Sequence, residues 1–221
     1  MPSKTLENGS GDNKVGALCN ALREAIIFGR YRPREHLVEE ELAERFGATR
    51  HTIRSAFVEL DSMGLVERRP NKGVIVRDFA IGELEELYEM RAILQREAAS
   101  RVQMPAEPAF IARLRQLNAA YLAASEAGDK EDASRINTEF HALIHSASGN
   151  RFLVEAIDQF WLRTSPIHWF ALGDSNHLRN SHEDHNRMID ALEKGDREVF
   201  VETVTRHMYP ALEAYRRVNR L

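Results

Sequence analysis

The sequence predicts a mainly α-helical protein, with an N-terminal winged helix-turn-helix followed by an all-α antiparallel helical bundle. Three observations lead to this prediction. Apolar residues recur at three- and four-residue spacing along most of the 221 residues. Before residue 78, two short helical segments flank a Gly-containing turn and are followed by a strand–turn–strand pattern. From residue 81 onward, helical segments alternate with Gly, Pro and Asp breaks and show no strand pattern.

Composition is that of an ordinary globular protein. Hydrophobic residues make up 43% and charged residues 29% of the chain, and no apolar run is long enough to span a membrane. The first residues are polar and lack the apolar core of a signal peptide. The single cysteine, Cys19, excludes an internal disulfide and a multi-cysteine metal site. We therefore expect a cytoplasmic protein.

Charge and histidine content differ between the two parts of the chain. Residues 1–80 hold 13 Lys and Arg against 12 Asp and Glu, whereas residues 81–221 hold 17 against 22. Seven of the nine histidines lie in the second part. This shift predicts a flexible tail over 1–12, a winged helix-turn-helix over 13–78 and a separate helical domain over 81–221.

Helical spacing in the first part predicts helices over 15–29 and 39–46 and a third that ends near Gly64. Thr49 can cap the third helix, whose predicted inner face consists of Ile53, Phe57, Val58 and Leu60. Strands are predicted over 65–69 and 74–76, joined by the turn residues 70–73.

Cationic residues lie where a winged helix meets DNA. Arg50, His51 and Arg54 fall at the exposed start of the third helix, and Lys72 precedes Gly73 in the hairpin turn. Recognition helices enter the major groove by their N-terminal residues, where Arg can bond guanine edges, while wing cations meet phosphates. Solvated surface arginines are the alternative, but placement on both elements favours DNA. The acidic start of the second helix must then lie away from phosphates, or it serves the helix N-terminus.

The stretch LVEEELAERFGATRHTIRSAFVELDSMGLVERRPNKGVIV, residues 37–76, resembles the DNA-binding domain of GntR-type bacterial transcription regulators. It carries L-x-E-x-x-L-A, then G-x-[ST]-R-x-x-[VI]-R-x-A, then G-L-[VI] and a wing glycine. The resemblance implies that Thr49, Arg50, Arg54 and the wing tip near Gly73 contact double-stranded operator DNA. One recognition helix reads only a few base pairs, so we expect a homodimer on a pseudo-palindrome.

The second part predicts a bundle of six helices. Their predicted ranges are 81–101, 108–127, 129–148, 152–164, 176–194 and 197 to the C-terminal end. Pro166 is expected to limit the fourth helix, and Pro210 is expected to kink the sixth.

Polar residues interrupt the apolar faces of these helices. His141, His185 and His207 each lie within an apolar stripe, and Asn137 precedes His141 by one turn. Three histidines on three helices have the ligand type and placement of a metal site within a bundle, and hydrogen-bonded core histidines are the alternative. His145 and His182 are candidates for an alternative ligand, for a residue that hydrogen-bonds a ligand, or for a surface position, whereas His36, His168 and His177 are expected to be incidental.

The second part resembles the ligand-binding FCD domain of the FadR branch of this family, in the segments ELYEMRAILQREAA, NTEFHALIHSASGN, HEDHNRMIDALEKGD and RHM. Six helices rather than seven would indicate the shorter, VanR-like group. Family members with metal use one Asp and three His, which correspond to Asn137, His141, His185 and His207. Because Asn is neutral, the resemblance implies weaker binding, a site of three histidines and water, or no metal. Zn is expected first, with Ni, Fe or Mn as alternatives.

An open coordination position would suit a small carboxylate effector. Arg91, in the apolar stripe of the first bundle helix, and Arg163, near the end of the fourth, are the candidate effector-binding cations. An ion-paired structural role is the alternative for Arg91.

Together the two parts predict a ligand-responsive, DNA-binding transcription regulator, expected to be a repressor and not an enzyme. The alternative is a metal-dependent hydrolase built on the histidine cluster. However, His182 and His185 are three residues apart rather than the four of H-E-x-x-H, and no nucleophile or nucleotide-binding motif occurs.

Overall fold

The computed structural model of the protein describes residues 11–69 and 73–219 and divides the chain into two compact units, 1–80 and 81–221. The first unit contains helices α1 (Gly11–Ile27), α2 (Glu39–Phe46) and α3 (Arg50–Ser62), with strands β1 (His36–Leu37), β2 (Val66–Arg69) and β3 (Gly73–Val76). Helix α1 begins two residues inside the predicted tail, whose first ten residues lie outside the described range.

The turn between α2 and α3 forms as the sequence predicts. Gly47 ends α2 with φ of 58°, in the left-handed region that glycine adopts without a steric penalty. Thr49 then caps α3, because its hydroxyl oxygen accepts the backbone N–H of Thr52 at 3.1 Å. The inner face differs from the prediction at one position: Val58 is 50% exposed. Ala56 is buried instead, since it lies on the same face as Ile53 and Leu60.

The hairpin forms the antiparallel pair predicted from the sequence. Strand β3 lies between β1 and β2, and the β2–β3 register pairs Val66 with Val76 and Arg69 with Gly73. The turn residues 70–72, which include Lys72, lie outside the described residues. The third strand, β1, was not predicted, because two residues are too few to show the alternation of a strand.

The second unit is an all-helical bundle with seven helices in its described residues, one more than predicted. They are α4 (Ile81–Arg101), α5 (Pro108–Glu126), α6 (Lys130–Ser146), α7 (Arg151–Ala171), α8 (Ser175–Lys194), α9 (Arg197–Arg206) and α10 (Tyr209–Asn219). The predicted helix count, and with it the reason for expecting the shorter VanR-like form, is therefore wrong.

The sequence predicts that Pro166 limits this helix, but in the structure Pro166 lies inside α7. Proline cannot donate the backbone hydrogen bond of a helix interior. The hydroxyl groups of Thr164 and Ser165 donate to the carbonyls of Phe160 and Trp161, just before the proline. Ile167 and Ala171 are buried after it, so the helix continues because its last turns pack into the bundle.

The predicted sixth helix is two helices. α9 ends at Arg206, and α10 begins at Tyr209. Pro210 therefore lies in the first turn of α10, where a proline has no hydrogen bond to lose, rather than at a kink.

The main core of this unit brings together helices α5, α6, α8 and α9. Phe140, Ile144, Met188, Leu192 and Phe200 are fully buried within it. The buried core residues on α6 and α8 share their helix faces with Asn137, His141 and His185, which are also buried. The polar residues that interrupt these apolar faces therefore lie in the interior of the bundle. Among the helices that the structure describes, none has both the length and the apolar character required to cross a lipid bilayer.

Candidate functional site

Three histidines meet inside the helical unit. The rings of His141 and His185 have centroids 5.1 Å apart, and His207 lies 5.0 Å from the first and 4.9 Å from the second. One ring nitrogen of each can be chosen so that all three atoms lie within 4.8 Å of one another. His141 belongs to α6 and His185 to α8, whereas His207 immediately follows α9 rather than lying within a helix.

The orientation of His185 is set by Asn118 on α5. The Asn118 amide nitrogen donates to Asn186 Oδ1 at 2.9 Å, so its oxygen is the acceptor of the group. That oxygen lies 3.0 Å from His185 Nδ1, which therefore carries the proton. His185 Nε2 is then a bare lone pair, and it lies 3.3 Å from Nε2 of His141. The hydrogen-bond network thus turns one lone pair toward the point where the histidines meet.

His207 is oriented by a carboxylate. Its Nδ1 lies 3.1 Å from Asp184 Oδ2, and its side chain is only 9% exposed. A proton on Nδ1 makes this a donor–acceptor pair and leaves Nε2 as the bare nitrogen. Carboxylate–histidine pairs of this kind fix ring orientation and raise ligand basicity in metal sites.

Asn137 lies one helical turn before His141 and is fully buried. Both its amide oxygen and its amide nitrogen lack a hydrogen-bond partner among the described residues. Burying an amide without partners is costly, so its polar atoms indicate a group that binds there. Asn137, His141 and His207 line one cavity.

Burial favours the neutral form of two of the three rings. Desolvation, assisted by the neighbouring histidines, lowers the pKa of His141 and of His185 well below its ordinary value. Metal ions bind the neutral imidazole, so the two rings are already in the form that a ligand needs at neutral pH.

The donor set fits a divalent metal ion. In a tetrahedral zinc site with Zn–N of about 2.0–2.1 Å, two nitrogen ligands lie about 3.3–3.4 Å apart. The observed separation of His141 Nε2 and His185 Nε2 is 3.3 Å. The unpartnered Asn137 oxygen can act as a fourth donor, and this set of four donors contains no carboxylate.

The cavity continues from the histidines to a buried arginine. Arg91 is 5% exposed and donates to Thr164 Oγ1 at 3.0 Å. Its guanidinium carbon lies 4.9 Å from the ring centroids of both Tyr88 and Trp161. Arg91 Nε has no hydrogen-bond partner, and no carboxylate pairs with Arg91 in the described part of the chain. For the residues that the structure describes, the ion-paired alternative is therefore wrong, and none of their carboxylates neutralises this cation.

Arg163, the second candidate effector residue, does not line this cavity. Its guanidinium carbon lies 5.5 Å from the ring centroid of Phe160, one turn earlier on α7. His182 also points elsewhere, with both ring nitrogens within hydrogen-bonding distance of Asn118 and Asn186. His145 is 2% exposed, but it does not line the cavity either.

Two cavity residues were expected to be incidental. His168 and His177 line the cavity together with Arg91. His168 lies beyond Pro166, the predicted end of the helix, so the sequence pattern does not assign it to a helix face. For His177 a signal was available: His177, Ser181 and His185 recur every four residues on α8, and all three are buried.

The candidate DNA-contacting residues of the first unit lie at the start of α3. Arg50, His51 and Arg54 are exposed, and the hydroxyl of Thr49 caps the helix. Gly73 begins β3 with φ of 81°, and Lys72 is outside the described residues.

The acidic residues of α2 pair with the arginines of α3. Arg54 Nε lies 2.9 Å from the nearer carboxylate oxygen of Glu39, and Arg50 pairs with Glu40. Exposed pairs of this kind contribute only about 0–1 kcal/mol. Breaking these ion pairs would therefore cost little free energy if the two arginines moved to contact DNA.

Comparison with known proteins follows this division. Residues 15–76 match the family model "Bacterial regulatory proteins, gntR family", and residues 86–209 match "FCD domain". The Uxu operon transcriptional regulator of Escherichia coli is 31% identical over 206 residues, which cover 83% of this chain and 78% of the relative. The probable D-xylose utilization operon transcriptional repressor of Paenarthrobacter nicotinovorans is 31% identical over 180 residues, 80% of this chain and 77% of the relative. The solved structure of E. coli McbR/YncC has a TM-score of 0.76 at 23% identity, covering 93% of this chain and 98% of that one, and supports the fold.

Proposed function

Because the chain belongs to the GntR family of bacterial regulatory proteins and carries the FCD domain, we propose that a small carboxylate controls its binding to operator DNA. The chain is a DNA-binding transcription regulator, and the hydrolase alternative has no support from its family or its relatives. The observation that carries the proposal is the convergence of three histidines beside Arg91, a buried cation that has no carboxylate partner among the described residues.

The DNA-contacting residues of the proposal are Thr49, Arg50, His51, Arg54, Lys72 and Gly73. Arg50 and Arg54 read base edges in the major groove, and Lys72 meets a phosphate. The exposure of Arg50 and Arg54 at the N-terminal end of α3 supports this assignment. Two copies bind a pseudo-palindromic site, since one recognition helix covers too few base pairs for selectivity.

The metal ligands of the proposal are His141, His185, His207 and Asn137. A divalent ion bound there, zinc before nickel, iron or manganese, supplies a Lewis-acidic position for a carboxylate oxygen. Asn118 and Asp184 orient His185 and His207 for this role. Arg91 binds the carboxylate from the other side through charge-assisted hydrogen bonds.

The cavity volume of about 20 Å³ holds roughly one water molecule. An organic acid must therefore displace side chains when it enters. This displacement supports an effector that acts by changing the packing of the helical unit. A ligand that binds one packing arrangement more tightly than the other shifts the equilibrium between the two. One relative is named as a repressor, which supports release from DNA as the response.

The proposal is tested first by elemental analysis of protein purified without chelators or a histidine tag. Bound metal, or a melting temperature raised by added zinc, nickel or manganese, is the expected result. A metal-free protein whose melting temperature does not respond to these ions would remove the metal from the proposal.

The effector is tested on a labelled duplex from the protein's own promoter region, with a panel of sugar acids and other carboxylates. Wild-type protein binds with a strong salt dependence and is released by at least one acid. The variant Arg91→Gln should bind DNA but no longer respond, whereas Arg163→Gln, the matched control outside the cavity, should respond as wild type does. Equal responses of the two variants would exclude Arg91 as the effector contact.

A further inference from the structure

Val58 is an exposed apolar residue on helix α3, the helix that carries the candidate base-reading arginines. All of α3 lies within the described residues, and Val58, 50% exposed, is its one exposed large apolar side chain. The core side of α3 consists of other residues, Ile53, Ala56, Phe57 and Leu60, which are buried. Val58 therefore lies outside the core of the first unit, and neither the family resemblance nor the proposed set of DNA contacts gives it a role.

The helical period places Val58 on the same face as two proposed DNA-contacting residues. Val58 follows Arg54 by four residues and His51 by seven, and residues at these spacings share one face of a helix. His51 and Arg54 are exposed, as Val58 is. At a rise of about 1.5 Å per residue, Val58 lies about 6 Å beyond Arg54 along the helix. Base pairs are about 3.4 Å apart, so this distance corresponds to about two base pairs.

This spacing is one that recognition helices use. Homeodomain recognition helices contact DNA bases through residues at positions i, i+3, i+4 and i+7. On α3, the residues with the same spacing are His51, Arg54, Ser55 and Val58. A helix that enters the major groove by its N-terminal end can therefore bring a side chain at the position of Val58 to the edge of a base.

The chemistry of valine selects one feature of the major groove. Its side chain neither neutralises a phosphate nor forms hydrogen bonds. The apolar group that a base pair presents in the major groove is the 5-methyl group of thymine, which apolar side chains contact. Helix formation does not account for Val58, because valine is a weaker helix former than alanine. Single exposed apolar residues are common on protein surfaces, so the position of Val58 beside Arg54 and His51 carries the inference rather than its exposure alone.

We propose that Val58 is a specificity-determining residue that packs against the 5-methyl group of one thymine in each operator half-site. The two γ-methyl groups of Val58 remove this thymine methyl from water, while Arg54 bonds a base edge nearer the start of the helix. The other three base pairs present no methyl group at the same point of the groove. This inference rests on the proposed placement of α3 in the major groove and adds a base preference to it.

The test removes one thymine methyl at a time. A labelled duplex from the protein's own promoter region is shortened to the segment that the protein protects in footprinting, and deoxyuridine replaces each thymidine in turn. Fluorescence anisotropy at fixed salt measures the affinity of the full-length protein. At one position of each half-site, the replacement should weaken binding about fourfold, and about fifteenfold when both half-sites are changed, the effect of burying one methyl group per contact.

Variants assign this methyl contact to Val58. Val58→Ala removes both γ-methyl groups, so it should bind the thymidine and deoxyuridine duplexes with less than a twofold difference per half-site. The variant should fold, because alanine is the better helix former. Val58→Thr keeps one of the two methyl groups and should retain part of the preference. Val38→Ala is the matched control, since Val38 is a similarly exposed valine that precedes α2 and lies outside the recognition helix; it should discriminate as wild type does.

The outcomes separate the inference from its premise. If wild type binds the promoter duplex but loses no affinity with deoxyuridine at any position, the thymine contact is overturned and operator binding stands. The contact is also overturned if Val58→Ala keeps the full preference, or if it weakens binding to both duplexes equally, which would indicate a packing role such as contact with a second copy. If wild type does not bind the promoter duplex, the proposed operator binding fails and this inference fails with it.

Discussion

His207 Nδ1 and Asp184 Oδ2 lie 3.1 Å apart, so a carboxylate that is not part of the histidine cluster is hydrogen-bonded to one of its rings. The proposed direct donors, three imidazoles and the Asn137 amide, include no carboxylate. Asp184 is the acidic group hydrogen-bonded to one of these proposed ligands, and it lies one residue before His185 in the sequence. In the proposed site, its charge acts through the imidazole ring rather than at the metal position itself.

Replacing Asp184 should therefore weaken metal binding although Asp184 is not a ligand. Loss of a carboxylate partner of a ligating histidine typically costs about 10–100-fold in metal affinity. Asp184→Asn should show this loss in a competition titration of zinc against a chromophoric chelator. Glu183→Gln, an exposed neighbour that loses the same charge, should bind zinc as wild type does. Equal losses in the two variants would mean that only the general charge of the helix matters.

Asn137→Asp should have the opposite effect. The amide is fully buried beside the cluster, and a carboxylate there adds a formal negative charge next to a divalent cation. We expect zinc affinity to rise by about tenfold or more, equivalent to about 1.4 kcal/mol. The same chelator titration measures it, with Asn180→Asp as the control for an added charge on an exposed part of α8. No gain in affinity would place Asn137 outside the metal's reach.

Arg54→Ala and Arg50→Ala should each weaken operator binding by about 1–3 kcal/mol, with a smaller effect on a random duplex. Lys72→Ala should instead weaken binding to both duplexes similarly, because a phosphate contact carries no sequence information. Fluorescence anisotropy at fixed salt compares the two duplexes. Arg101→Ala, an exposed arginine of the second unit, is the control for loss of positive charge. Equal losses on both duplexes for Arg54→Ala would refute base reading.

The histidines with lowered pKa values predict that the protein becomes less stable as the pH decreases. Burial lowers the pKa of His145 to about 4, of His168 to about 3 and of His177 to about 4. In the unfolded chain a histidine titrates near pH 6.5. Between that pH and the lowered values, the unfolded state binds more protons, so the free energy of unfolding decreases as pH falls. Each such histidine contributes up to about 1.4 kcal/mol per pH unit.

Urea unfolding of the chelator-treated protein between pH 8 and pH 5 checks this dependence. His145→Phe should reduce the slope below about pH 6.5 by close to one proton, relative to wild type. Above about pH 7, wild type and variant should differ in stability by a constant amount, which serves as the internal control. A slope that His145→Phe leaves unchanged would show that this histidine is accessible to protons in the folded state.

Elements whose signals are local can be predicted from the sequence. The helical spacing, Gly47 and Thr49 predict α2, the turn and α3, because capping and a left-handed turn depend on residues within one helical turn. The alternation around residues 70–73 predicts the hairpin for the same reason. The positions of Asn137, His141 and His185 on otherwise apolar helix faces can also be predicted, since the helical period assigns each residue to a face.

Features that depend on contacts between distant helices become visible once the helices are packed. Helix α7 continues through Pro166 because its last turns are buried, which overrides the local preference and brings His168 into the cavity. In the described part of the chain, Arg91 is surrounded by the rings of Tyr88 and Trp161 and has no carboxylate partner, and the residue spacing along α4 does not predict these neighbours. The partners of His185 and His207 are likewise set by packing: Asn118 is 67 residues from His185, and Asp184 is 23 from His207. Side-chain hydrogen bonds over such separations form only after the helices have packed, so local sequence cannot specify them.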